Sequence, residues 1–405
     1  MGDLIHTRRW DLPDIDELLR ERGLPELSDG GNRVPISSLP IQRIAVRRRP
    51  RRPSEGNELD VLMRICTALG CNADWTTVVQ VARASHWERH RRYKKSGAIR
   101  WLDVPEERLK TALGEIHRLL LSSMPRDGTS TAFHAGASPA LHARVHSGAV
   151  AAAAADIRNF FGSVRPRHLL PWFGLTDYPK ASLLPGWSEL GRKAVCQLLF
   201  RYRDGKPAYL AQGAPSSPLA ANLAGLWLDR AIVSAAARQF APGKFAYSRY
   251  ADDLVLSAVD CEEPTRFAEE AAQILARSVA GQGWTIQSSK SRQWTTADSV
   301  ALHVCGLRVP TRPGEPLTLG RETWRRARSA LHRLRHRSDF GLHAAGSPAV
   351  AHGLLAYSYS ATGDLRWLAY TSARLAYLAR RLGGPIFSES LLAGWSDESS
   401  LADVP

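Results

Sequence analysis

The chain has 405 residues, 44% of them hydrophobic, which is long enough for two or three lobes and apolar enough to bury a core. Its net charge of +15 points to a polyanionic partner, nucleic acid first, although Arg- and Ala-rich codon usage also contributes. No run of about 18 apolar residues occurs, which excludes a transmembrane helix, and the five cysteines form no CxxC pair, which disfavours a zinc site and fits a reducing cytoplasm.

The start, Met1-Gly-Asp-Leu-Ile-His6, lacks a signal peptide's basic-then-apolar order and has His6 where myristoylation requires Ser or Thr. A cytoplasmic protein is expected. Residues 1–57 read as a basic N-terminal extension. It holds an amphipathic helix over Trp10 to Arg22, with Leu12, Ile15, Leu18 and Leu19 on one side. The run Arg47-Arg-Arg-Pro-Arg-Arg-Pro53 reads either as a phosphate-tracking arm or as a solvated linker. Helical apolar spacing recurs over Leu59 to Leu69, Trp75 to Ala84 and Glu106 to Leu121. The basic stretch Glu88 to Arg100 interrupts it and turns at Ser96-Gly97. A helix is expected from Pro139 to His146. It sets His142 and His146 one turn apart, with no third ligand nearby to make a metal site.

Gly148 to Ala155 is nearly all alanine, which by propensity alone is helix. Further helices are expected at Leu190 to Tyr202 and at Pro264 to Ala280, the latter with Phe267, Ala271, Ile274 and Leu275 inward. From Gly320, Trp324, Ala327, Leu331 and Leu334 form an apolar stripe. Arg325, Arg328, His332 and Arg335 form a cationic stripe beside it, suited to a duplex backbone. Two more helices, near Ala349 to Ser360 and Leu365 to Leu382, end at Gly383-Gly-Pro385.

One segment does not fit a merely soluble protein. In Phe245-Ala-Tyr-Ser-Arg-Tyr-Ala-Asp-Asp-Leu-Val-Leu-Ser257, two aspartates sit between apolar, strand-favouring runs. They read as the tip of a β-hairpin. Their repulsion and desolvation call for a cation, and Mg²⁺, which takes carboxylate and phosphate oxygens, is the simplest candidate.

With Tyr-Ala before the pair and Leu-Val-Leu after it, the segment resembles the active-site hairpin of reverse transcriptases in their bacterial, retron-type form. Two more segments are similar, in the right order. Asp156-Ile-Arg-Asn-Phe-Phe-Gly-Ser163 matches D-x-x-x-F-F-x-S, and Gln212-Gly-Ala-Pro-Ser-Ser-Pro218 matches Q-G-x-x-x-S-P. The resemblance covers about residues 58–380. It implies an α+β right-hand polymerase with an antiparallel-sheet palm, fingers and a helical thumb. The corresponding segments are fingers 58–147, palm 148–310, thumb 311–385 and a flexible tail, 386–405. It also implies that Gly148 to Ala155 is a buried strand leading into Asp156.

By the same resemblance, Asp156, Asp252 and Asp253 are catalytic and hold two Mg²⁺ ions, with Ile157 as a further metal-binding position. Lys290 either protonates the pyrophosphate leaving group or is a surface lysine. Lys95 and Arg100 approach the triphosphate or template, Gln212 contacts the nucleotide or template, and Asn222 braces the site. Phe161 excludes a ribose hydroxyl, while Phe160 belongs to the core. Arg325, Arg328 and Arg335 grip nucleic acid. The implied function is RNA-directed DNA synthesis from deoxynucleoside triphosphates on a structured non-coding RNA, through an RNA/DNA duplex, in antiviral defence and with a retron effector protein as partner. Two positions depart from the family pattern: His142 replaces the Asn of N-A-x-x-H, and Val304-Cys305-Gly306 replaces V-T-G. Alternatives are another defence-associated or retroelement reverse transcriptase, including a template-independent one, and a non-catalytic RNA-binding protein on the same fold.

Overall fold

The computed structural model describes residues 57–326, apart from 94–96, 98, 126–127, 135, 178–181, 204 and 313–314, together with 329 and 357. The amphipathic helix and arginine run expected before residue 57, the helices expected after 326 and the tail lie outside the described residues. The described residues fall into two compact units. One runs up to Cys305 and resumes over Val309–Glu315; the other takes Gly306–Arg308 and the residues from Pro316 onward.

The first unit begins with helices whose starts are capped by short polar side chains. Asn57 accepts from Leu59 N–H at the head of α1 (Glu58–Leu69), and Asp74 does the same for Thr76 at the head of α2 (Trp75–Ala84). Gly70, at φ 69°, ends α1 in the left-handed conformation that glycine adopts without cost. An antiparallel hairpin follows, β1 (Trp87–Tyr93) and β2 (Ile99–Pro105), as the basic turn predicts. α3 (Glu107–Ser123) buries Leu109, Leu113, Ile116 and Leu120, the 3–4 spacing of one helix face, and packs on α1. α4 (Pro139–Val145) is capped by Ser138 and starts with a proline, which needs no N–H there.

β3 (Ala151–Asp156) is a strand despite its alanines. Helix propensity is outweighed because β3 has hydrogen-bonding partners on both edges, and its small side chains let a helix lie close on its face. A one-turn helix, α5 (Phe160–Ser163), follows Asn159, which sits at φ 49°. α6 (Glu189–Leu198) is shorter than the expected Leu190 to Tyr202. Residues 201–209 instead fold as a hairpin, β4 (Arg201–Arg203) and β5 (Lys206–Tyr209), turned by Gly205 at φ 64°. The pull comes from Asp103, a buried carboxylate of β2 that pairs with Arg201 and accepts from the Tyr209 hydroxyl at 2.8 Å. Because both partners must reach one acid, the chain extends and doubles back.

α7 (Ser217–Gln239) opens with Pro218 in its first turn. β6 (Ala246–Tyr250) and β7 (Asp253–Ala258) form the expected hairpin. α8 (Pro264–Gly281) buries Phe267, Ala271 and Leu275 and lies on β3; Ile274, expected inward, is half-buried. β8 (Arg292–Thr295) completes a four-stranded antiparallel sheet in the order β6-β7-β3-β8. β9 (His303–Val304) ends this unit's run of strands. In the second unit β10 (Leu307–Arg308) pairs antiparallel with β11 (Thr318–Leu319), and residues 321–326 are helical. The architecture is α+β, with an antiparallel sheet backed by helices. No helix among the described residues is long and apolar enough to cross a membrane.

Candidate active site

The sheet register assembles the acids. Asp156, the last residue of β3, lies directly opposite Asp253, the first residue of β7. Tyr250 pairs with Asp253, so Ala251 and Asp252 form a two-residue turn. Ala251 takes φ 56°, the positive first central angle such tight hairpins use, without being glycine. Asp252 is thereby held at the tip. The Ile157 N–H donates to the Asp252 carbonyl at 2.9 Å, which ties the end of β3 to the turn. Ile157 is fully buried and its side chain is apolar, so only its main-chain carbonyl can serve a metal.

Electrostatics carry the signature of crowded acids. Burial raises the pKa of Asp252, and the Asp156 carboxylate raises it further; Lys290 and Arg100 partly offset this. Burial together with Asp252 and Asp156 pushes Asp253 up to about 6. Lys290, in a 3₁₀ turn over Ser288–Lys290, places Nζ 2.5 Å from Asp156 Oδ2. Burial would lower its pKa, but Asp156, Asp252 and Asp253 together hold it above the ordinary value. Lys290 is therefore a cation serving the acid cluster, even though its side chain is largely exposed. Among the described residues, no group of three or more His, Cys, Asp or Glu side chains stands close enough as placed to hold a metal ion. The donor chemistry nonetheless fits a hard cation. All three side chains are carboxylates, two are driven toward protonation by burial and then by their acidic neighbours, and an ammonium pairs with the third.

The other expected residues are distributed as follows. Arg100, exposed on β2 opposite Arg92, lies close enough to Asp252 to act on its charge. Gln212 is half-buried, and its carbonyl accepts from the Asp103 N–H at 2.8 Å. At Gly213, φ is 130° and a Cβ would stand 2.6 Å from the Asp103 carbonyl oxygen, so the loop can cross β2 only without a side chain. Phe160 is buried, while Phe161 is half-buried with its ring edge-on to Phe133 at 6.2 Å between centroids. Arg325 is exposed in the second unit. Lys95, Arg328 and Arg335 lie outside the described residues.

Beneath the turn lies a layer of which sequence reading named Asn222 and the two histidines but missed Arg249, Asp229 and their partners. Asn222 is fully buried, accepts from Ser130 Oγ at 2.6 Å and donates to the Ala132 carbonyl at 3.0 Å. Arg249 and Asp229 form an ion pair with no exposed side-chain surface. His142 and His146 share Ser248 Oγ at 2.7 and 2.9 Å, and His146 reaches Ser257 Oγ at 2.7 Å, so both rings serve the hairpin's packing. Cys305, at φ 49°, sets its thiol 3.6 Å from Asp253 Oδ2; burial, then Asp253, raises the thiol's pKa. A signal for this layer was present, since an arginine inside an otherwise apolar strand implies a buried partner.

The chain resembles several known proteins. The chain is 31% identical to the retron Mx65 reverse transcriptase of Myxococcus xanthus over 306 residues, 74% of this chain and 67% of that protein. It is 29% identical to the retron Mx162 reverse transcriptase of the same bacterium over 292 residues, 68% of this chain and 59% of that protein. The structure of apo telomerase from Candida tropicalis is similar at a TM-score of 0.41 and 10% identity, covering 75% of this chain and 62% of that chain. No protein-family model matches the chain. With 31% identity over two thirds of the Mx65 enzyme, the chain belongs to the retron reverse transcriptases, a family of nucleotidyltransferases.

Proposed function

We propose that the chain is an RNA-directed DNA polymerase in which Asp156, Asp252 and Asp253 form the reaction centre. The observation that carries this reading is the direct pairing of Asp156 with Asp253, with Asp252 on the turn beside them. A fold has no packing reason to gather three acids and bury two of them, Asp252 and Asp253, so that their pKa values rise.

In this reading the three carboxylates, with the Ile157 carbonyl, would hold two Mg²⁺ ions. Bound there, divalent ions would supply Lewis-acid stabilisation of the attacking and leaving oxygens. The chain's own groups do the rest. Lys290, kept protonated by the acids, is a proton donor suited to the pyrophosphate leaving group. Arg100, and Lys95 beyond the described part of the hairpin, suit phosphate oxygens. Phe161 offers a flat ring with no hydrogen-bonding group, which excludes a 2′-hydroxyl. Gln212, whose backbone carbonyl is bonded to β2, contacts the nucleotide or template in this reading. Arg325, with Arg328 and Arg335, contributes phosphate contacts to the RNA/DNA duplex.

Asp252→Asn removes one ligand charge at nearly constant shape. It is expected to cut Mg²⁺-dependent DNA synthesis on a primed RNA by orders of magnitude while the thermal melt stays in place. Normal synthesis by that variant would overturn the assignment. The same reading makes the template a structured non-coding RNA and the biological role antiviral defence with an effector protein. Sequencing the nucleic acid and identifying the proteins that co-purify with the chain tests that part.

A further inference from the structure

We propose that Arg249 is a positioning residue for nucleotidyl transfer: it fixes the left-handed turn residue Ala251 and so aims the carboxylate of Asp252. The proposal rests on the assignment of Asp252 and Asp253 as reacting carboxylates, and it concerns a residue that touches neither substrate nor metal.

Arg249 lies on β6, three residues before Asp252, and its side chain is fully buried. Its guanidinium is spoken for on every side. Nε and Nη2 donate to the two carboxylate oxygens of Asp229, both at 2.8 Å. Nη2 also donates to the Asn222 carbonyl at 3.1 Å, and Nη1 to Asn222 Oδ1 at 2.9 Å. Tyr247 Oη completes the group by donating to Asp229 at 2.7 Å. The fold makes room for this fork at a specific cost to helix α7, where Gly225 stands mid-helix. A Cβ there would lie 2.4 Å from Arg249 Cζ.

A buried ion pair is a poor way to stabilise a core. Removing both charges from water costs about as much as their attraction returns, and apolar replacements are often neutral or better. What such a pair supplies is a defined geometry. One bond of this network reaches the turn itself: Nη1 donates to the Ala251 carbonyl at 3.3 Å. Ala251 is the residue at φ 56°, a conformation that disfavours any side chain. The next carbonyl, that of Asp252, is taken by the Ile157 N–H. Two consecutive turn carbonyls are thus each held, one by the buried arginine and one by Ile157, the residue after Asp156. A lysine could keep the charge but not the planar fork that reaches Asp229, Asn222 and Ala251 together.

Two variants test this. Arg249→Lys keeps the charge, and the double substitution Arg249→Met with Asp229→Asn removes both charges while leaving Tyr247 a partner. Three quantities are measured for each: the thermal melt, steady-state synthesis on a primed RNA, and binding of Mn²⁺ alone followed by the signal of free Mn²⁺. The expected result is folded protein with kcat lowered on the order of 10- to 100-fold, the scale of a small misplacement of a reacting group. The KM for the deoxynucleotide should stay within about threefold, and Mn²⁺ binding should weaken about tenfold, as for mutation of an outer-shell partner of a metal ligand. Wild-type kcat and Mn²⁺ binding in either folded variant would overturn the proposal. So would a loss of activity that only follows the folded fraction, or failure of both variants to fold, since each makes the network plain core. Asp252→Asn, run alongside, separates this from the functional reading. An active Asp252→Asn sinks that reading, whereas an inactive one beside fully active Arg249 variants sinks only the positioning role.

Discussion

At the scale of single residues, the site is defined by groups held away from their ordinary chemistry. Phe161 follows Asp156 by five positions and is half-buried, its ring edge-on to Phe133 and Phe160, and the proposed function gives it the role of excluding a 2′-hydroxyl. Phe161→Ala or Val should admit ribonucleotides, lowering the kcat/KM ratio of deoxynucleotide to ribonucleotide on the order of tenfold, since about 1.4 kcal/mol is one decade. A ratio that does not move returns Phe161 to core packing. The histidines behind the hairpin make a different prediction. Burial, then Arg249, lowers His142 to about 3; burial, then His142, holds His146 well below 6.5. As the pH falls through about 6.5, the unfolded chain takes up two protons that the folded chain refuses. Stability is therefore fully present above that pH and is lost below it, at up to about 1.4 kcal/mol per pH unit for each histidine. His142→Asn should remove about half of that slope in denaturant titrations between pH 7 and 5. If the slope stays the same, His142 is not buried neutral.

Among elements, the long helix α7 shows how a local rule yields to a tertiary one. Alanine is a better helix former than glycine by about 1 kcal/mol. Gly114, inside α3, would meet nothing within 4 Å if it carried a Cβ. Gly225, inside α7, would press on a pinned guanidinium. Gly114→Ala should therefore raise the melting temperature, while Gly225→Ala should lower it and reduce synthesis as well. Equal gains from both substitutions would show that Arg249 yields easily. The same logic explains β3. Alanines that favour helix in isolation are held extended by β7 and β8 on either edge, and α8 lies close on the surface they leave.

For the molecule as a whole, the charge of +15 has identifiable outlets. Arg91, Arg92 and Arg100 are exposed on the β1–β2 hairpin, and Arg100 acts on Asp252 across the site. Neutralising all three should flatten the log–log salt dependence of nucleic-acid binding by at most about three units, given ~0.7–0.9 per phosphate contact. An unchanged slope would make this face a solvated edge. The exposure of these arginines is itself informative. Asp103, on β2 with Arg100, is buried and pairs with Arg89 of the hairpin, Arg201 and Tyr209 rather than with Arg91, Arg92 or Arg100.

The sequence by itself determined the order of the three motifs, the acidic hairpin and most helix positions, because each rests on short-range rules. Apolar spacing and a proline in a helix's first turn are visible within a dozen residues. It also pointed to β3 as a strand, though only through family resemblance and against its own propensity. What tertiary structure alone decided is how distant groups share space. The register that sets Asp156 against Asp253 joins residues 97 apart. The Lys290–Asp156 pair spans 134 positions, and the Arg249–Asp229–Asn222 network joins a strand to a helix. The end of the expected Leu190 to Tyr202 helix at Leu198, and the hairpin over 201–209 that follows, depend on an acid about a hundred residues away. Pairings of buried charge are set by desolvation, which depends on the whole surrounding fold and leaves no periodicity along the chain.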